Sequence, residues 1–118
     1  DVVTWFQGPH EMWCKAACGN VPMGTPEGAF KEAARILKPG GYLIVMDHVA
    51  PAGTPATSGN DTHRIDPALV KPMILAAGFV LEEESSMLAN PADDYTKGVF
   101  DPAVQGKTDQ FLLRYRKQ

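Results

Sequence analysis

The sequence predicts an α/β fold, a partial doubly wound sheet closed at one edge by an antiparallel C-terminal hairpin, and three observations carry that expectation. Apolar segments of strand length alternate with capped helical stripes along most of the chain. One of them, Tyr42 to Met46, is apolar without alternation, the pattern of a parallel strand covered by helices on both faces. The last two strand segments have no helix of useful length between them, so they pair antiparallel rather than through a crossover.

Asp1 to Gln7 is β-branched and aromatic and breaks at Gly8-Pro9, which reads as a buried parallel strand. Between His10 and Asn20 a weak helical spacing of Met12, Trp13, Ala16 and Ala17 predicts one short helix. Thr25 is a capping residue, Pro26 suits the first helical position and Glu27 complements the positive end of the dipole. Phe30, Ala33, Ala34 and Leu37 then form the inward stripe, with Lys31, Glu32 and Arg35 outward, and Pro39-Gly40-Gly41 ends the helix. Tyr42 to Met46 is the central strand. From Val49 to Thr62 the chain is rich in Pro, Gly, Ser and Thr, which predicts a flexible loop or lid. Asp66-Pro67 opens a second capped helix that turns Val70 and Ile74 inward, carries Pro72 as an expected kink and closes at Gly78. Phe79 to Met87 reads as an edge strand with a solvated run of Glu82 to Glu84. Asp109 to Lys117 alternates cleanly, with Phe111, Leu113 and Tyr115 on one face.

At 118 residues the chain is a single domain, residues 1–118, and short for a complete doubly wound enzyme. Its 44% hydrophobic and 21% charged residues are ordinary for a globular domain. Eleven basic against 14 acidic residues leave a net charge of −3, and the basic residues cluster only at Arg114, Arg116 and Lys117, so nucleic acid is not an expected partner. The apolar runs are too short to span a bilayer, which leaves the membrane off the list of partners as well. The first residues lack a signal-peptide pattern, and a start at Asp1 rather than Met implies an absent upstream segment. Cytoplasmic location is favoured without excluding export. Cys14 and Cys18 read as two plain thiols on one helical face, with no second pair to complete a zinc site.

The run Phe30-Lys31-Glu32-Ala33-Ala34-Arg35-Ile36-Leu37-Lys38-Pro39-Gly40-Gly41-Tyr42 resembles the segment of class I S-adenosylmethionine-dependent methyltransferases in which an R-x-L-K-P-G-G turn feeds the fifth strand. Asp1-Val2-Val3 is similar to the opening of that family's fourth strand, Ala77-Gly78-Phe79 to the turn before its sixth, and the final pair to its reversed edge. A narrower likeness, carried by His48 after Asp47, His63-Arg64-Ile65-Asp66, Asn90-Pro91-Ala92-Asp93-Asp94, Val99-Phe100-Asp101-Pro102 and Gly106-Lys107-Thr108-Asp109, is to a group of bacterial predicted methyltransferases. The resemblance implies the C-terminal half of a Rossmann-like methyltransferase sheet. It implies S-adenosylmethionine as cofactor in the intact protein and a small-molecule methyl acceptor. The glycine-rich turn and acidic residue with which that family binds the cofactor have no counterpart here, so the isolated chain is expected to bind it weakly and to be inactive.

Ligands of open α/β sheets collect beyond the carboxyl ends of the strands, where this sequence places all three of its histidines. His10 and His63 are the candidate bases, and Asp47 is placed to orient a neighbour. His48 and Arg64 are candidate substrate contacts, Arg64 for an anionic group. Phe6 and Gln7, after the first strand, are the candidate cofactor contacts. His10, His48, His63 and Asp47 lack the short spacing of a metal motif, and no metal is expected. Without its first strands the sheet would expose an edge, which raises self-association or a protein partner as the alternative to catalysis.

Overall fold

The structure, a computed structural model, describes the backbone of residues 1–118 and every side chain except that of Ala17. Four strands, β1 (Val2–Phe6), β2 (Tyr42–His48), β3 (Phe79–Ser85) and β4 (Gln110–Lys117), form one mixed sheet in the order β1-β2-β4-β3. β1 and β2 are parallel, while β4 runs antiparallel to both β2 and β3. The last two strands are thus an antiparallel pair, but β4 is wedged between β2 and β3. The side chains explain the order. β4 buries Phe111, Leu113 and Tyr115, whereas β3 carries the charged run that suits an edge. A register shift between Leu81 and Glu83 lets Glu82 reach Arg116 at 3.0 Å and Arg114 at 3.6 Å, so the glutamates are ion-paired as well as solvated.

The two long helices form as the local signals require. In α1 (Pro26–Ile36) the Thr25 hydroxyl accepts a hydrogen bond from the Gly28 amide. In α3 (Pro67–Ala76) the Asp66 carboxylate accepts from the Ala68 amide at 2.9 Å. α3 runs on through Pro72, which lies on its exposed side, so the ring meets solvent rather than core. The turn after α1 uses Gly40 at φ +82°, a conformation that suits glycine. The carbonyls at the end of α1 are satisfied by Lys117, not by the adjacent Lys38: its Nζ donates to Ala34 O and, at 2.6 Å, to Leu37 O.

α1 and α3 lie on the same face of the sheet, where Phe30, Ala34, Leu43, Val45, Val70, Ile74, Leu113 and Tyr115 form the core. Each fully buried aliphatic or aromatic side chain there stabilises the fold by about 1.5–3 kcal/mol relative to exposure. The opposite face presents Val2 and Phe6 of β1 at 58% and 51% exposure, together with half-buried Ile44 and Met46. The expectation of helices on both faces is therefore corrected to two layers, and β1 is a half-exposed edge strand rather than a buried one. The segment expected to supply the additional short helix instead makes two 3₁₀ turns, Pro9–Trp13 and Ala16–Cys18, too short to cover a sheet.

Candidate functional site

Because β1 and β2 are parallel, their carboxyl ends open on one rim, and the chain bends sharply there. Gln7, at φ +53°, donates its amide to Met46 O at 2.7 Å, and Pro9 starts the 3₁₀ turn that carries His10 inward. His10 is 4% exposed and Asp47 is fully buried. The Asp47 carboxylate accepts three hydrogen bonds: from the His10 amide at 2.7 Å, from His10 Nδ1 at 2.7 Å and from the His48 amide at 2.8 Å. A carboxylate only accepts, so Nδ1 is the donor in this contact and Nε2 is the ring nitrogen outside it. Asp47 thus meets both the ring and the backbone of His10.

The Val49–Thr62 segment folds back over the same rim instead of hanging free. It contains a short helix, α2 (Ser58–Asp61), that packs on the His10 turn. Gly59 is what permits the contact, since a Cβ there would stand 2.3 Å from His10 O. His63 follows α2 at φ +58° and meets the His10 ring edge-on at 5.4 Å, while its other side packs on Phe100 at 5.0 Å. His48 lies 6.0 Å from His10, ring to ring, and its Nδ1 is bonded to Thr108 Oγ1 at 2.7 Å. Together with Gln7, Glu11, Cys18 and Val99, the three histidines and Phe100 line a pocket of about 270 Å³. A larger depression, about 410 Å³, lies between α3 and the β3–β4 edge; it holds the Lys71–Glu84 ion pair and shares no lining residue with the histidine pocket.

Burial, reinforced by the neighbouring His10, holds the pKa values of His48 and His63 below the usual 6.5, with Asp47 pulling the other way. Both imidazoles are therefore neutral near neutrality. The unfolded chain protonates first as pH falls, so the stabilisation is complete above pH 6.5 and declines from there towards the folded pKa values. Thermal midpoints measured across about pH 7.5 to 5.5, a range about one unit either side of the usual histidine value, should fall on the acidic side. The slope should flatten in His48→Gln; an unchanged slope in that variant would remove His48 as its source.

Arg64 is corrected. It is 1% exposed, and its guanidinium is committed to Asp93 through two bonds of 2.7 and 3.0 Å, to Val49 O and to Lys97 O, with the Tyr95 ring alongside at 5.6 Å. It fastens the Asn90–Lys107 segment to the rim and presents no surface to a substrate anion. Phe6 and Gln7 separate: Phe6 lies on the open sheet face, whereas Gln7 lines the histidine pocket. The two cysteines are corrected as well. Cys14 and Cys18 form a disulfide, made possible by the 3₁₀ turns that bring their Cα atoms to 5.7 Å. Sequence reasoning missed Asp93, Phe100 and Thr108 as parts of the rim, although all three lie in segments that carried the narrower family likeness.

The chain superposes on the crystal structure of the [4+2]-cyclase SpnF with a TM-score of 0.64 and 21% sequence identity, covering 99% of this chain and 50% of that one. The two chains share a fold over this length. No family model and no curated protein sequence matches the chain. The chain spans half the length of SpnF, and a fold shared at this identity does not carry a reaction with it.

Proposed function

We propose that these residues are the substrate half of a class I, Rossmann-like S-adenosylmethionine-dependent methyltransferase, and that the histidine pocket receives a small methyl acceptor. The observation that carries the reading is the buried His10–Asp47 pair at the carboxyl ends of two parallel strands, beside an accessible pocket. Asp47 holds the His10 ring and fixes its tautomer. His10 Nε2 then takes the proton of a hydroxyl or ammonium acceptor, with His63 against its ring edge as the second candidate base.

The residues present do not make a cofactor site. Gln7 offers one polar contact in the pocket wall, Phe6 faces away on the open sheet face, and no glycine-rich turn follows β1. The cofactor is held by the other half of such a fold, across the free edge of β1. Calorimetric titration of the 118-residue chain with S-adenosylmethionine and its demethylated product should therefore show no tight binding. Tight binding by this chain alone would overturn the division of labour.

A second reading rests on the same edge. Among the described residues β1 pairs only with β2, and it exposes Val2 and Phe6, so the free edge and the apolar face beside it favour pairing with a second copy. Light scattering discriminates the two: a dimer supports self-association, and a monomer that unfolds cooperatively removes it.

A further inference from the structure

We propose that Cys14, Cys18 and His63 are a redox-gated site for a thiolate-seeking divalent cation of the zinc type, closed while the disulfide is intact and opened by reduction. The two sulfurs and an imidazole nitrogen of His63 lie within 4.8 Å of one another. Tetrahedral zinc, with Zn–S near 2.3 Å and Zn–N near 2.0–2.1 Å, needs ligand separations of about 3.5–4 Å. Small movements therefore convert the cluster to a ligand set once the sulfur–sulfur bond is gone.

The ligands come from two segments that are already fastened together. Cys14 follows the 3₁₀ turn that Asp47 anchors through His10, and it is 3% exposed. His63 follows α2, which packs on that turn, and the Lys15 amide donates to Asn60 Oδ1 at 2.8 Å, tying the cysteine loop to α2. Cys18 and His63 both line the histidine pocket, so a cation held by the three ligands sits in its wall, with a remaining position for water. The site shares His63, the second candidate base, with the proposed proton transfer, but its test reads cation binding and not methyl transfer, so the two readings fail separately.

The chemistry balances with a dithiol as reductant. Two electrons and two protons pass from the dithiol to Cys14 and Cys18, and the dithiol is oxidised to its own disulfide. Cation binding then releases the two thiol protons. Low cation affinity in the oxidised state follows because a disulfide has no thiolate to offer.

The test uses the full chain, reduced with a dithiol, desalted without oxygen and titrated with cobalt(II) as a spectroscopic stand-in for zinc. One equivalent should bind with a thiolate-to-cobalt charge-transfer band, and the oxidised protein should show no such band. His63→Gln should weaken binding at least about tenfold, and zinc should protect both thiols from alkylation in the parent chain. Far-ultraviolet circular dichroism covers the case in which reduction loosens the fold: recovery of structure on adding zinc supports the site. A reduced chain that neither binds cobalt nor regains structure with zinc overturns it, as does undiminished affinity in His63→Gln.

Discussion

Replacing Arg64 by alanine is expected to destabilise the protein by about 3–5 kcal/mol, the range for breaking a buried ion pair and leaving one charge unmatched. The side chains of Arg64 and Asp93 are 1% and 0% exposed, and their two-pronged contact is reinforced by Asp93 accepting the Asp109 amide at 2.8 Å and the Tyr95 amide at 3.0 Å. Burial alone would raise the Asp93 pKa, but the bonds from Arg64, Asp109 and Tyr95 outweigh it and hold the carboxyl below the usual 3.8. Its stabilisation is therefore present above that pH and lost as pH falls through the folded value. Urea unfolding of Arg64→Ala, Asp93→Ala and the double variant measures the pair. Each single change should carry the large loss, and the double should lose much less than their sum, because neither charge is then left alone. Losses under about 1 kcal/mol would place the pair with exposed salt bridges instead. Limited proteolysis adds a local readout: the Asn90–Lys107 segment, released from the rim, should become the first site of cleavage.

The parts of this fold that were legible in the sequence are those whose causes are local. Thr25-Pro26 and Asp66-Pro67 cap the helices they announce, because a cap acts within one turn. The alternation of Phe111, Leu113 and Tyr115 fixed which face of β4 is buried, though not that β4 would lie between β2 and β3. A period of two says nothing about strand order. The gathering of the three histidines at one rim was also legible, from the rule that loops after parallel strands share an edge. What failed were pairings between distant polar residues. Arg64 and Asp93 are 29 positions apart, and Asp66, the nearer acid, caps α3 instead. The cysteines failed for a different reason. A spacing of four fits a helical face and a small disulfide loop alike, and weak helical spacing decided for the wrong one. The open second face of the sheet is not legible in an unbroken apolar run, which suits a strand covered on both sides and equally one whose Ile44 and Met46 are only half-buried.

Asp47→Ala is expected to cost about 3–5 kcal/mol and to disorder the pocket beyond the point of substitution. Three hydrogen bonds to the carboxylate, each worth at least about 1 kcal/mol net, account for that range. The amides of His10 and His48 would be left buried without their acceptor, and so would the Nδ1 proton of His10. Asp47→Asn should help little. Its amide nitrogen must face an N–H donor on one side or the other, since both carboxylate oxygens accept from His10. The paired measurement is a urea midpoint together with the His10 Nδ1 proton resonance, which should be lost to solvent exchange in both variants. A protein that keeps that resonance and stays within about 1 kcal/mol of the parent would show that Asp47 neither orients His10 nor supports the turn. The two effects are expected together because the same carboxylate holds the backbone and the ring of His10. The turn that closes the end of β1 and the orientation of the candidate base are thus set by one buried group, and the pocket cannot be retuned at Asp47 without loosening the sheet edge that carries it.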